Sequence, residues 1–120
     1  MRCGTDIVNV ARVKETIEKL GDAFKKRVYT DEEINYCESR RMCKYESYAA
    51  RFAAKEAVYK AISPDINSNA AFTEVEILSE ESGKPYVALH GELKKIIDSN
   101  RIEVSLSHER EFAIAFAIIT

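Results

Sequence analysis

At 120 residues the chain has the length of one domain, and 46% apolar content with a formal net charge of only −2 suits an ordinary buried core. No apolar run nears a membrane span, and the start MRCGTDIV lacks the apolar stretch and cleavage site of a signal peptide, so a cytoplasmic location without membrane contact is expected. The sequence pI near 5.8, the absence of Trp and the lack of a basic run argue against a nucleic-acid partner.

Charge is unevenly placed. Residues 1–60 carry thirteen Lys/Arg against ten Asp/Glu, and residues 61–120 carry five against ten, so the first half suits an acidic partner or simply a solvated surface. The cysteines, Cys3, Cys37 and Cys43, are odd in number and lack zinc-type spacing, and they read as reduced, mostly structural thiols.

In chain order, CGTDIVNV (3–10) predicts a short buried strand with one charge inside it, Asp6. Val13, Ile17 and Leu20 share a helical face, which predicts a helix from about Arg12 to Phe24. Thr30 with Glu33 three residues on forms a capping box, opening a helix through about Glu38. A longer helix should run from about Lys44 to Ile62 and stop at Ser63-Pro64, because the residue before proline avoids the helical region. DINSNAAF (65–72) reads as a polar loop.

The second half changes period. TEVEIL (73–78) and PYVAL (85–89) flank the turn signal ESGK and predict a hairpin. Residues 91–98 read as a short helix, followed by strands RIEVSLSH (101–108) and EFAIAFAII (111–119). Helices first and a mostly antiparallel sheet after give an α+β fold in a single domain, 1–120. In the last strand, Phe112, Ile114, Phe116 and Ile118 point one way and Ala113, Ala115, Ala117 and Ile119 the other. A strand apolar on both faces needs two covers. Either it is central within the monomer, or another protomer supplies the second cover.

RFAAKEAVYKAI (51–62) carries the chemistry. At roughly 100° per residue, Ala50, Ala54, Ala57 and Ala61 form one narrow stripe that lets a neighbouring backbone approach closely. Glu56 and Lys60 lie on a second face, and as an i,i+4 pair they are worth only about 0.3–0.5 kcal/mol on a surface. Arg51 and Lys55 are like charges at i,i+4, a repulsive arrangement unless an anion lies across them. Two cations on one side and a carboxylate on another suit a ligand with several phosphates plus a divalent cation, for which Glu56 and Asp6 are the candidate carboxylates. His108 ends an apolar strand face, a position more often structural than catalytic.

Three segments, GTDIVNVARV (4–13), RFAAKEAVYKA (51–61) and EVSLSHEREFAIA (103–115), together resemble the holo-[acyl-carrier-protein] synthases, the short single-domain phosphopantetheinyl transferases. YTDEE (29–33) and SGKPYV (82–87) add to the likeness, which spans nearly the whole chain. The resemblance implies a trimer-forming phosphopantetheinyl transferase fold, with helices packed on a mostly antiparallel sheet. It implies transfer of the 4′-phosphopantetheine arm of coenzyme A to a serine of apo acyl carrier protein, releasing adenosine 3′,5′-bisphosphate for fatty acid biosynthesis. By the same resemblance, Asp6 and Glu56 hold Mg²⁺, Glu56 helps deprotonate the serine, and Lys60 stabilises the leaving phosphate. Arg51, Lys55, Ser107 and His108 meet the nucleotide, the last two from an adjacent subunit of a homotrimer, and Arg12 with nearby lysines docks the acidic carrier. The chain departs from many relatives in having no glycine in SPDINSNAAF (63–72). A non-catalytic oligomeric module binding coenzyme A or acyl carrier protein is the competing reading.

Overall fold

A computed structural model describes residues 1–62 and 71–120. The described chain runs β1 (Arg2–Asn9), α1 (Val10–Leu20), α2 (Asp22–Val28), α3 (Asp31–Ser39), a 3₁₀ turn (Arg41–Cys43) and α4 (Lys44–Ile62). After a second 3₁₀ turn (Phe72–Glu74) come β2 (Val75–Ser79), β3 (Pro85–Leu89), α5 (Gly91–Ile96), β4 (Ile102–His108) and β5 (Phe112–Ile119). The expected stop at Ser63-Pro64 and most of the loop predicted over 65–72 lie outside the described residues.

Expected and observed elements agree in type and order, with one helix corrected. The helix predicted from Arg12 to Phe24 is two helices, parted at Gly21, whose φ of 62° lies in the left-handed region. It also begins earlier than expected, because the Asn9 side chain accepts a hydrogen bond from the Arg12 amide (3.1 Å) and caps α1. The Thr30–Glu33 capping box opens α3 as predicted.

The sheets are antiparallel: three strands in the order β1-β5-β4, and the hairpin β2-β3. The N-terminal strand therefore closes the edge of a sheet begun a hundred residues later. Helix α4 crosses the inner face of this sheet and packs mainly against β1 and β5. The alanine stripe explains the closeness. A Cβ built on Gly4 of β1 would lie 2.1 Å from the Ala57 carbonyl oxygen and 2.9 Å from the Ala61 nitrogen, so backbone rests on backbone. The core divides into one layer of α4, β2–β5 and α5, and a second formed by α1–α3 and the start of α4.

β5 is central in its sheet, yet one of its faces has no cover. Ala113, Ala115, Ala117 and Ile119 are buried under α4, while Phe112, Ile114 and Phe116 stay 41%, 46% and 44% exposed. Ile7 of β1, directly opposite Ile114 in register, extends the apolar patch at 62% exposure. Of the two alternatives, a central position is present, but it does not supply the second cover.

Candidate functional site

Three of the residues expected to be catalytic converge. The contact of Gly4 with α4 fixes β1, and strand alternation then turns Asp6 to the inner face, toward the last turns of α4. There the Lys60 ammonium donates to Asp6 Oδ1 and to the Thr5 carbonyl oxygen, each at 3.0 Å. Glu56, one turn earlier on the same helix face, has its carboxyl raised by burial and by the negative charge of Asp6, with Lys60 working against the rise. A carboxyl whose charge is disfavoured even with an ammonium beside it marks a site short of positive charge.

Asp6 and Glu56 open onto a cleft of about 480 Å³ that also contains Arg12, Asn9, Thr16, Val13, Phe24 and Phe52. Arg12, expected at a docking surface, therefore borders the same cleft as Asp6 and Glu56. Phe52 was missed by sequence reasoning, although its i−4 spacing from Glu56 places it on the same helix face. It stacks on Phe72 (centroids 5.6 Å apart), and Phe72 packs edge-on against Tyr59, whose hydroxyl donates to the Ala71 carbonyl oxygen.

The residues expected to meet a nucleotide are distributed differently, and two expectations need correction. Lys55 is fully buried, with its ammonium 2.7 Å from Glu33 Oε1 and donating to the carbonyl oxygens of Phe72 and Val75. The anion that answers its repulsion with Arg51 is internal, so Lys55 meets no ligand in this arrangement. Ser107 is exposed on the outer face of β4 opposite Ile114, whereas strand alternation puts His108 on the other face. The two do not point at one ligand from a single strand.

Arg51 and His108 do meet, in a second pocket of about 220 Å³ that shares no lining residue with the first. Arg51 is 4% exposed, donates to Ser47 Oγ and Ser79 Oγ (3.3 Å each) and lies 3.9 Å above the Tyr36 ring. Its Nε has no hydrogen-bond partner. A buried guanidinium N–H without an acceptor is costly, and the positive charge of Arg51 favours an anion in the pocket that it lines. Arg40 covers the other side of Tyr36 at 5.9 Å, and His108 Nδ1 lies 3.4 Å from Glu46 Oε2. Arg40 and Tyr36 carried no sequence signal, because only the tertiary fold brings α3 and the following turn to Arg51.

The donor set suits a hard divalent cation. Asp6 and Glu56 offer two carboxylates, and no cluster of three or more metal-binding side chains occurs among the described residues. That combination fits Mg²⁺, which takes one or two carboxylates and completes its shell with water and substrate phosphate oxygens.

The chain is similar to known proteins in both sequence and fold. Residues 2–117 match the family model of the 4′-phosphopantetheinyl transferase superfamily. The holo-[acyl-carrier-protein] synthase of Ruminiclostridium cellulolyticum is 54% identical over 123 residues, covering 100% of this chain and 92% of that protein. The crystal structure of the Neisseria meningitidis holo-[acyl-carrier-protein] synthase matches with a TM-score of 0.85 at 31% identity, over 99% of this chain and 97% of that one. The Helicobacter pylori synthase, solved in complex with coenzyme A, matches with a TM-score of 0.83 at 29% identity, over 98% and 99%.

Proposed function

The chain belongs to the 4′-phosphopantetheinyl transferase superfamily, and from that premise we propose that it works as a magnesium-dependent holo-[acyl-carrier-protein] synthase. It moves the 4′-phosphopantetheine arm of coenzyme A onto a serine hydroxyl of apo acyl carrier protein and releases adenosine 3′,5′-bisphosphate, the step that readies the carrier for fatty acid biosynthesis in the cytoplasm. One domain carries the activity. The observation that bears most weight is that Asp6, held by Lys60, and Glu56 share the cleft that Arg12 borders.

In this reading the serine oxygen attacks the phosphorus that bears pantetheine, and the bond to the departing nucleotide phosphate breaks. Asp6 and Glu56 would hold Mg²⁺, which when bound neutralises the pyrophosphate charge. Glu56, which opens onto the cleft, is suited to take the serine proton, directly or through water. The Lys60 ammonium stands one turn away to stabilise the negative charge on the leaving phosphate. Arg12, exposed at the rim of the cleft, attracts the acidic carrier. Glu38 holds both Lys25 (3.2 Å) and Lys44 (3.4 Å), so Lys25 contributes less to docking than its charge suggests.

Arg51, a buried cation, and His108 would bind nucleotide phosphate in the second pocket that both line. They lie apart from Asp6 and Glu56 within one chain, and the uncovered apolar face of β1 and β5 offers a surface for a second copy. A homotrimer that sets the first pocket of one protomer against the second pocket of its neighbour would assemble a complete site, and Ser107 on the outer face would then lie toward the interface.

The test is intact-mass spectrometry of apo acyl carrier protein after incubation with this protein, coenzyme A and Mg²⁺. A gain of one phosphopantetheine arm, abolished by EDTA and by Glu56→Gln or Asp6→Asn in folded protein, is expected. No gain from a folded sample that binds coenzyme A would overturn catalysis in favour of a binding module.

A further inference from the structure

Cys43 ends the 3₁₀ turn Arg41–Cys43, in which Arg41 has a φ of 53°, a left-handed conformation that side chains with a Cβ rarely adopt. This strained turn sets Arg40 and Cys43 into the wall of the pocket that holds Arg51 and His108. The thiol is exposed. The other two differ in kind. Cys37 is buried, accepts a hydrogen bond from Ser47 Oγ at 3.3 Å, and has its thiol pushed up to about 11 by burial, so it is inert. Cys3 is exposed on β1 opposite Ile118, away from the arginine pair. Among the three, only Cys43 lines a pocket with two arginines, Arg40 and the 4% exposed Arg51.

We propose that Cys43 undergoes thiol–disulfide exchange with anionic low-molecular-weight disulfides drawn into this pocket, and that the adduct shuts the pocket to coenzyme A. The inference rests on the reading of this pocket as the nucleotide-phosphate site. Cys43 loses its proton to solvent, and the thiolate Sγ attacks one sulfur of a disulfide RS–SR. The S–S bond of the reagent breaks as a Cys43–S–S–R bond forms, and RS⁻ leaves and takes a proton from solvent. The reagent is itself the oxidant: the Cys43 sulfur is oxidised as the departing sulfur is reduced. Arg40 and Arg51 favour reagents carrying carboxylates or phosphates over those carrying amines, and Glu46, paired with His108, offsets only part of that charge. At about 220 Å³ the pocket is smaller than the roughly 300–1,000 Å³ of a full ligand site, so one adduct fills it. A thiol reductant reverses the block.

The experiment treats the folded protein with glutathione disulfide or, separately, with the cationic disulfide cystamine, and follows adducts by intact mass and peptide mapping. Glutathione is expected on Cys43 roughly tenfold faster than cysteamine. Coenzyme A should slow the reaction, the apparent KM for coenzyme A should rise several-fold, and dithiothreitol should restore it. Treatment of Cys43→Ser should leave that variant's KM where it stood. Equal rates with the two disulfides, or an adduct confined to Cys3, would overturn the proposal. A selective Cys43 adduct that coenzyme A does not hinder and that leaves KM unchanged would overturn the regulatory half, and would locate the fault in the nucleotide reading of the pocket while the exchange itself stands.

Discussion

Lys55 stands next to Glu56 in the chain, yet its ammonium lies in the interior, where burial lowers its proton affinity and the Glu33 carboxylate opposes that loss. Glu33 is satisfied on every side: it also accepts from the amides of Thr30 (2.9 Å) and Ile77 (2.8 Å), tying α3 to β2. Removing one partner leaves a buried charge unanswered, a loss of about 3–5 kcal/mol. Lys55→Met should therefore lower the unfolding free energy measured in urea by that amount, and adding Glu33→Gln should recover part of it, since the amide oxygen still accepts from Ile77 without a charge. A double variant no more stable than Lys55→Met would remove the charge explanation. Glu56 has the opposite environment, open to the cleft and short of cations. Its folded carboxyl is raised, so the folded state holds this proton more tightly than the unfolded chain, and stability declines as pH rises from the ordinary carboxylate range through the raised value. A bound divalent cation relieves that penalty. Millimolar Mg²⁺ should raise Tm at about pH 8, do so less at about pH 5 where protons compete for Glu56, and leave Glu56→Gln unmoved at both. Equal shifts at both pH values would argue that the ion binds elsewhere.

At the scale of elements, the approach of β1 to α4 sets the distance between Asp6 and Glu56. The alanine stripe on α4 was legible from spacing alone, and the structure adds its counterpart, Gly4. Gly4→Ala would force a Cβ into a carbonyl oxygen of the backbone, where no rotamer change can help, and should cost more than about 4 kcal/mol together with transferase activity. Gly21 meets nothing within 4 Å, so Gly21→Ala should cost only the strain of its φ 62°, ψ −141° backbone, about 1–3 kcal/mol, and spare activity. Thermal melts of the two variants should separate these cases, and similar losses would show that contact with α4 is not what Gly4 provides. Element types were readable because caps, periodicity and turn residues act locally: Thr30 with Glu33 opened α3, and the change of period after residue 72 announced strands. The break at Gly21 was harder, since apolar spacing continues through it and only the backbone angle reveals it. The motif also picked out Asp6, Glu56 and Lys60, which two neighbouring elements bring close together. It could not show that Lys55 turns inward or that Arg40 and Tyr36 flank Arg51. Those facts depend on contacts between α3, α4 and β2 that no local pattern encodes.

For the molecule as a whole, the exposed face of β1 and β5 is the feature that one chain leaves unresolved. Phe112, Ile114, Phe116 and Ile7 form an apolar surface on paired strands, the kind of patch that marks an interface. Ile114→Glu should turn an assembly with three times the 13.6 kDa mass of one chain into monomers on sedimentation. Transfer should fall sharply at the same concentration, although neither pocket is touched. A monomeric wild type with full activity would show that one chain completes the site alone. The two faces of β5 also act as a check on folding. Because side chains alternate, a slip of one residue in its pairing would send the alanines outward and drive Phe112 and Phe116 against α4, where backbone already rests on backbone. A misregistered sheet would thus lack both a fitting interior and an adhesive exterior. In the proposed homotrimer, only correctly paired chains would present the surface that recruits their neighbours, so the same strand that builds the protomer would proofread its entry into the assembly.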